Sequence, residues 1–264
     1  MKIWKNIGMA SMALIATAAV VCMFPAGAHA YLTAKANHDH ISVDFFYHGS
    51  TVSVRGEADQ GADLIVKIAS PEGHQALKEK GKVGGVMWMN VGDLKIENVP
   101  NLYIVESTKK FDEIVSAPEL KDNVIGYPAL KDHASMTPAS TDADKTKWFD
   151  EFVKFKEANK LYSSEAGRVA AVNNGNGRQS YYVLCQWPYQ APPGNYTVTV
   201  YAVKDGKVVE KAEDKVVVEQ VGVVKRLAEM AKNNAAAYGV ISIMAAIGAG
   251  FGVGIIFGKG GGAH

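Results

Sequence analysis

Short apolar runs with a two-residue period dominate the first part of the chain. Ile41, Val43, Phe45 and Tyr47 alternate with Ser42, Asp44, Phe46 and His48. His48-Gly49-Ser50 marks a turn, and Thr51-Val52-Ser53-Val54-Arg55 starts again. Such a period sends alternate side chains to opposite faces of a strand. Residues 64–68, 85–90 and 102–105 continue the series, separated by Gly, Pro, Asn and Asp. Strands this short and this frequent predict a β-sandwich.

The period changes between residues 108 and 165. Residues 110–115 read as a turn or two of helix and 142–162 as a longer helix, with Thr141 as its cap. Trp148, Phe149, Phe152, Val153 and Phe155 recur near helical spacing, a face suited to packing on the sandwich. Strand patterning returns from Arg168. The turn Asn173-Asn174-Gly175-Asn176-Gly177 separates two runs, and 181–187, 196–203 and 207–218 follow. Asp205-Gly206 suits a two-residue hairpin loop. The expected fold is therefore mainly β: an immunoglobulin-like β-sandwich over 31–220 with a helical insertion at about 108–165. Two small domains are the alternative.

Both ends read as membrane signals. Residues 1–30 combine Lys2 and Lys5, an apolar stretch and the small-x-small pattern Ala28-His29-Ala30, the arrangement of a cleavable signal peptide. Cys22 goes with it. Residues 221–234 form an amphipathic linker. The run 235–258 carries no charge and, at about 1.5 Å per residue, makes a helix of about 36 Å, enough for one transmembrane crossing. Lys259 starts a short tail, 259–264, placed in the cytoplasm by the positive-inside tendency. Lys225, Arg226 and Lys232 on the other side oppose it, but a translocated domain of this size overrides loop charge. The expected site is a bacterial inner membrane, crossed once, with the main domain in the periplasm.

Composition adds exclusions. The chain has 264 residues, 48% of them apolar, with 28 basic and 27 acidic residues. It is too apolar for a disordered tail, and a net charge of +1 supplies no field for nucleic acid. Loss of Lys2 and Lys5 leaves 26 basic residues against 27 acids. Cys185 is then the remaining thiol and reads as a core residue. No nucleophile elbow, phosphate loop, dinucleotide fingerprint or paired-Cys zinc pattern is present, and no cofactor is expected.

Two clusters remain as candidate sites. On a strand, His38 and His40 share a face and reach one copper or zinc ion, with His48 as a further imidazole across a hairpin. Met87 and Met89 also share a face, and thioethers suit Cu(I), although methionines on a sandwich strand read first as core. In the membrane run, Ala245, Gly248 and Gly252 lie on one side of a helix and Gly250, Gly254 and Gly258 on the other. Small residues let helices approach closely in lipid, so these two sides are candidate helix-packing surfaces, for another membrane protein or for self-association.

The ordered segments Leu32-Thr33-Ala34, His38 to Asp44, Asp63-Leu64-Ile65-Val66, Gly85 to Asn90, Pro100-Asn101-Leu102-Tyr103, Pro193-Gly194-Asn195-Tyr196 and Ala236-Ala237-Tyr238-Gly239 resemble Alph_Pro_TM, a transmembrane protein family of alphaproteobacteria. The resemblance covers nearly the whole chain after residue 30. It implies an exported domain with one C-terminal span, and genes near permeases similar to sulfite exporters. It supplies no catalytic residue. The expected function is a non-enzymatic accessory protein of an inner-membrane complex, with an integral membrane protein such as an anion permease as partner and the lipid bilayer as surroundings. The alternative is a periplasmic copper- or zinc-binding protein.

Overall fold

Two β-sheets face each other across an apolar core in the computed structural model of the chain, which describes residues 31–138 and 141–258. The described residues from Leu32 onward belong to one compact unit. The expected signal segment with Cys22, and the tail 259–264, lie outside the described residues.

In chain order the elements are β1 (Lys35–Ala36), β2 (His40–Val43), β3 (Ser50–Asp59), β4 (Asp63–Ala69), β5 (Glu72–Val83), β6 (Met87–Pro100) and β7 (Tyr103–Ser107). Then follow α1 (Phe111–Ile114), α2 (Ala117–Asp122), α3 (Gly126–His133), β8 (Ser135–Thr137), α4 (Asp142–Ala158) and β9 (Tyr162–Glu165). The last part is β10 (Ala170–Asn173), β11 (Arg178–Trp187), β12 (Gly194–Lys204), β13 (Lys207–Gln220), α5 (Gly222–Asn233) and α6 (Ala235–Gly258).

One sheet has the order β1-β3-β11-β10 and the other β2-β13-β12-β4-β7-β9. The first is the A-B-E-D order of an immunoglobulin-type sandwich. In the second, β13-β12-β4-β7 follows G-F-C-C′. Near the start of β12, Tyr196 donates its hydroxyl to the carbonyl of Pro192, four residues back, and its ring meets Trp187 edge-on at 4.7 Å. A tyrosine tied back in this way at this corner recurs in such sandwiches. Valines 52, 54 and 198 fill the middle of the core where antibody domains carry a disulfide. At Gly56 a Cβ would lie 1.9 Å from the Thr33 carbonyl oxygen, so only glycine lets β3 run this close to the N-terminal segment.

The run 41–47 is shorter than its alternation predicts. β2 stops at Val43 and the Asp44 carboxylate accepts from the Phe46 backbone N–H at 2.9 Å, turning the chain and leaving both phenylalanines in solvent. Conversely, 72–83 has little apolar periodicity yet forms β5, because it pairs with β6 along its whole length. Gly84 and Gly85, both at positive φ, close this long hairpin. Met87 and Met89 are exposed on it, not in a core.

Helices α1, α3 and α4 cover the outer face of the six-stranded sheet. Thr141 caps α4 by accepting from the Asp144 backbone N–H at 3.1 Å. Phe149, Phe152 and Val153 are buried in a second core with Tyr103, Val105, Tyr162 and Tyr201, while Phe155 faces solvent. Polar ties fix the layer: Tyr103 donates to the Val124 carbonyl at 2.9 Å and accepts from the Gly126 N–H at 2.8 Å. Lys67 donates to the Asn123 carbonyl at 2.6 Å, and burial holds its ammonium down to about 8.

Because Phe152 joins the helical layer to the sheet, Phe152→Ala should cost about 3–5 kcal/mol. The shift should appear as one cooperative transition by circular dichroism and by tryptophan fluorescence together. Two separable transitions would show that the helical layer folds apart from the sandwich.

Candidate functional site

β10 pairs with β11 over Gln179–Tyr182 only, so β11 from Val183 to Trp187 is a sheet edge on that side. Opposite it, β7 and β9 pair in parallel and end the other sheet. The two edges stand apart, and the end of α4 leans over the gap. The result is a recess of about 920 Å³, within the range of small-molecule sites. Its lining includes His48, Glu106, Glu157, Lys160, Glu165, Arg168, Trp187 and Tyr189.

Two of these side chains each leave one buried polar atom without a hydrogen-bond partner among the described residues. β7 is buried at all five positions, and its fourth residue is an acid: Glu106 is 4% exposed. Glu106 Oε2 has no hydrogen-bond partner among the described residues, nor does Trp187 Nε1, on a residue 2% exposed. Such groups carry a desolvation cost unless something completes them. The recess is therefore walled in part by Glu106 and Trp187, each with an unsatisfied polar atom just beneath its surface, within a rim of both charge signs. That rim suits a ligand that both donates and accepts hydrogen bonds.

Desolvation raises the Glu106 carboxyl above its ordinary value; Arg168 pulls it down, Glu165 pushes it up and a hydrogen bond with Cys185 lowers it. Cys185 is buried, and its thiol is pushed far up by burial and by the Glu106 charge. A thiol so held is a weak nucleophile at neutral pH.

The sequence clusters fall elsewhere. His38 and His40 are both exposed, and His40 Nε2 lies 2.8 Å from a Glu219 carboxylate oxygen on β13. His48 is not their neighbour in a site; its Nδ1 meets the Phe46 carbonyl and its ring borders the recess. Among the described residues no group of three or more His, Cys, Asp or Glu is placed to hold a metal ion. Tyr181 and Trp187 are core, whereas Tyr182 and Tyr189 are exposed. The sequence reading passed over Glu106. Its signal was an acid directly after the apolar run Leu102-Tyr103-Ile104-Val105.

α6 has 24 residues and is long and apolar enough to cross a membrane; none of its apolar window is buried. A Cβ added at Gly248, Gly250, Gly252 or Gly254 would meet open space, and Ala245 is exposed. Gly258 ends the helix.

A mainly β, immunoglobulin-like sandwich followed by one apolar helix defines a membrane-anchored protein with a folded domain outside the lipid. The chain belongs to the family described as "Putative transmembrane protein (Alph_Pro_TM)", whose profile matches residues 31–259. No curated protein matches it. Among solved structures it is similar to domain 1 of VCBP3 from Branchiostoma floridae, at 12% identity over 73% of this chain and 97% of that one, with a TM-score of 0.24.

A raised carboxyl binds its proton more readily in the folded state than in the unfolded one. Stability therefore falls as pH rises from the ordinary carboxylate value through the raised one. Thermal denaturation should show this loss for the wild type, at up to about 1.4 kcal/mol per pH unit across the window. Glu106→Gln should flatten the slope. An unchanged slope in the variant would place the titrating group elsewhere.

Proposed function

We propose that the protein is a non-enzymatic accessory subunit, held by α6 in a bacterial inner membrane with its sandwich in the periplasm. Its partner is an integral membrane protein, and an anion permease of the sulfite-exporter kind is the class that the family resemblance implies. The observation that carries this reading is the uncovered state of α6. The helix offers glycine on two opposite sides, and among the described residues nothing packs on Gly248, Gly250, Gly252 or Gly254. Helices gain close van der Waals contact through such sides in lipid, where no hydrophobic force drives them together.

The test is copurification from native membranes in mild detergent. Gly250→Leu with Gly254→Leu, or Gly248→Leu with Gly252→Leu, should release the partner while leaving insertion intact, because Leu favours the bilayer more than Gly. Loss from one pair alone marks one neighbouring helix; loss from both marks insertion between two. Unchanged copurification and assembly size in all variants would make α6 a plain anchor and overturn the subunit reading.

A further inference from the structure

We propose that the end of the sandwich nearest α6 is a membrane-docking foot. It rests on the lipid interface through the Phe45-Phe46 turn and the tip of the β5–β6 hairpin. The inference rests on α6 spanning the bilayer, and adds a second attachment of the domain to that same bilayer.

The register places these elements at one end. β2 runs parallel to β13, the two strands finish together at Val43 and Gln220, and the Val221 N–H donates to the Val43 carbonyl at 2.9 Å. The Phe45-Phe46 turn therefore leaves the sheet beside the point where the chain enters α5 and then α6. β4 runs in the direction of β13, since each is antiparallel to β12. Ala69, the last residue of β4, pairs with Thr197, which in turn pairs with Lys215. Tyr103, the first residue of β7, also pairs with Ala69. Both legs of the β5–β6 hairpin thus leave the sheet in the half toward which β13 runs, level with Lys215, five residues before Gln220.

What these elements expose is apolar and aromatic. Phe45 and Phe46 are 75% and 76% exposed, their rings in edge contact with each other. At the hairpin tip Val86 is 88% and Trp88 65% exposed, and Lys82 sits over the Trp88 ring at 5.4 Å. Large apolar side chains left in water at two such points suit a partner surface. Aromatic rings beside lysine are the residue types that settle at the headgroup level of a bilayer, ring in the boundary and ammonium in the water. α5, whose Val223 and Leu227 are exposed, has the make-up of an interfacial helix continuous with the span.

The lengths agree. α5 has 12 residues, so standing upright it lifts the sandwich by about 18 Å at most. From Met87 to Leu94, the first buried position of β6, the hairpin extends about 24 Å at about 3.4 Å per residue. A hairpin arm of that length exceeds the height of an upright α5, and the Phe45-Phe46 turn reaches the surface as α5 tilts.

The full chain is reconstituted at one copy per nanodisc of phosphatidylethanolamine and phosphatidylglycerol, which removes both foreign partners and a second copy. Nitroxide labels are placed by Phe46→Cys and Val86→Cys. Gln60→Cys, exposed in the turn between β3 and β4 at the opposite end, is the reference, and the unsubstituted chain gives the background from native cysteines. Collision with a water-soluble nickel complex should be several-fold lower at residues 46 and 86 than at 60, and collision with oxygen higher. A label at Met244→Cys reports the span separately. If it is lipid-exposed while either residue 46 or residue 86 is as water-accessible as residue 60, the foot is overturned and the anchor stands. If Met244→Cys is itself in water, the spanning reading fails and the foot fails with it.

Discussion

The six-stranded sheet is apolar on both faces, and the rest of the domain is arranged around covering it. Along β12, Val198, Val200 and Ala202 point into the space between the sheets, while Tyr201 and Val203 point the other way, into the helical layer. β4 and β7 repeat the division, with Val66 and Ile104 on one side and Ile65 and Val105 on the other. An antiparallel sheet usually leaves one face to water. Here water would meet rows of valine, isoleucine and tyrosine, so a second layer is obligatory. The segment 108–165 and the base of the β5–β6 hairpin supply it. That is why the helical segment is continuous with the fold's packing even though it interrupts the sandwich order.

A double-sided core also accounts for the recess. Where β7 runs between two apolar layers, its alternate residues enter the inter-sheet space, and one of them is Glu106. The partner strand opposite, β11, has lost its neighbour β10 by Val183. The edge that seals the acid from solvent is therefore short, and the buried carboxyl and the Trp187 indole lie just behind the wall of the recess. A carboxyl in that position lowers stability at neutral pH relative to an apolar residue of similar shape. Stability sacrificed at a concave opening is the usual mark of a site where a ligand completes the missing hydrogen bonds.

Much of the fold was legible because its signals are local. Alternation found β3, β4, β7, β11, β12 and β13, and Asp205 and Gly206 both sit at positive φ, as a two-residue hairpin loop between twisted strands requires. Thr141 announced α4. The failures came where pairing, not pattern, decides the structure. In β5, Lys78, Glu79 and Lys80 give no strand period, and the segment is extended because β6 supplies its backbone partners. The aromatic pair Phe45-Phe46 matched an alternation that Asp44 cuts short with a side-chain turn. The recess was hidden for a different reason. Glu106 and Trp187 are 81 positions apart and line one recess only through the closure of two sheets, whereas His38 and His40 are two residues apart in sequence and conspicuous for that alone.

The apolar surface that remains is distributed with a direction. Burial of the double-sided core consumes the valines and isoleucines of the strands, yet Phe45, Phe46 and the Val86–Trp88 tip stay in solvent. A soluble domain gains nothing by this; removing such side chains from water is worth roughly 1.5–3 kcal/mol each when they are fully covered. Strand direction roots these elements at the end from which α6 departs, so the bilayer is the apolar phase nearest to them. Once α6 is inserted, the encounter of this end with lipid is intramolecular and incurs little further loss of translational freedom. Modest gains per side chain then suffice to hold the domain against the surface. A sandwich held in that way keeps a fixed face along the membrane surface, the orientation that the proposed subunit role requires.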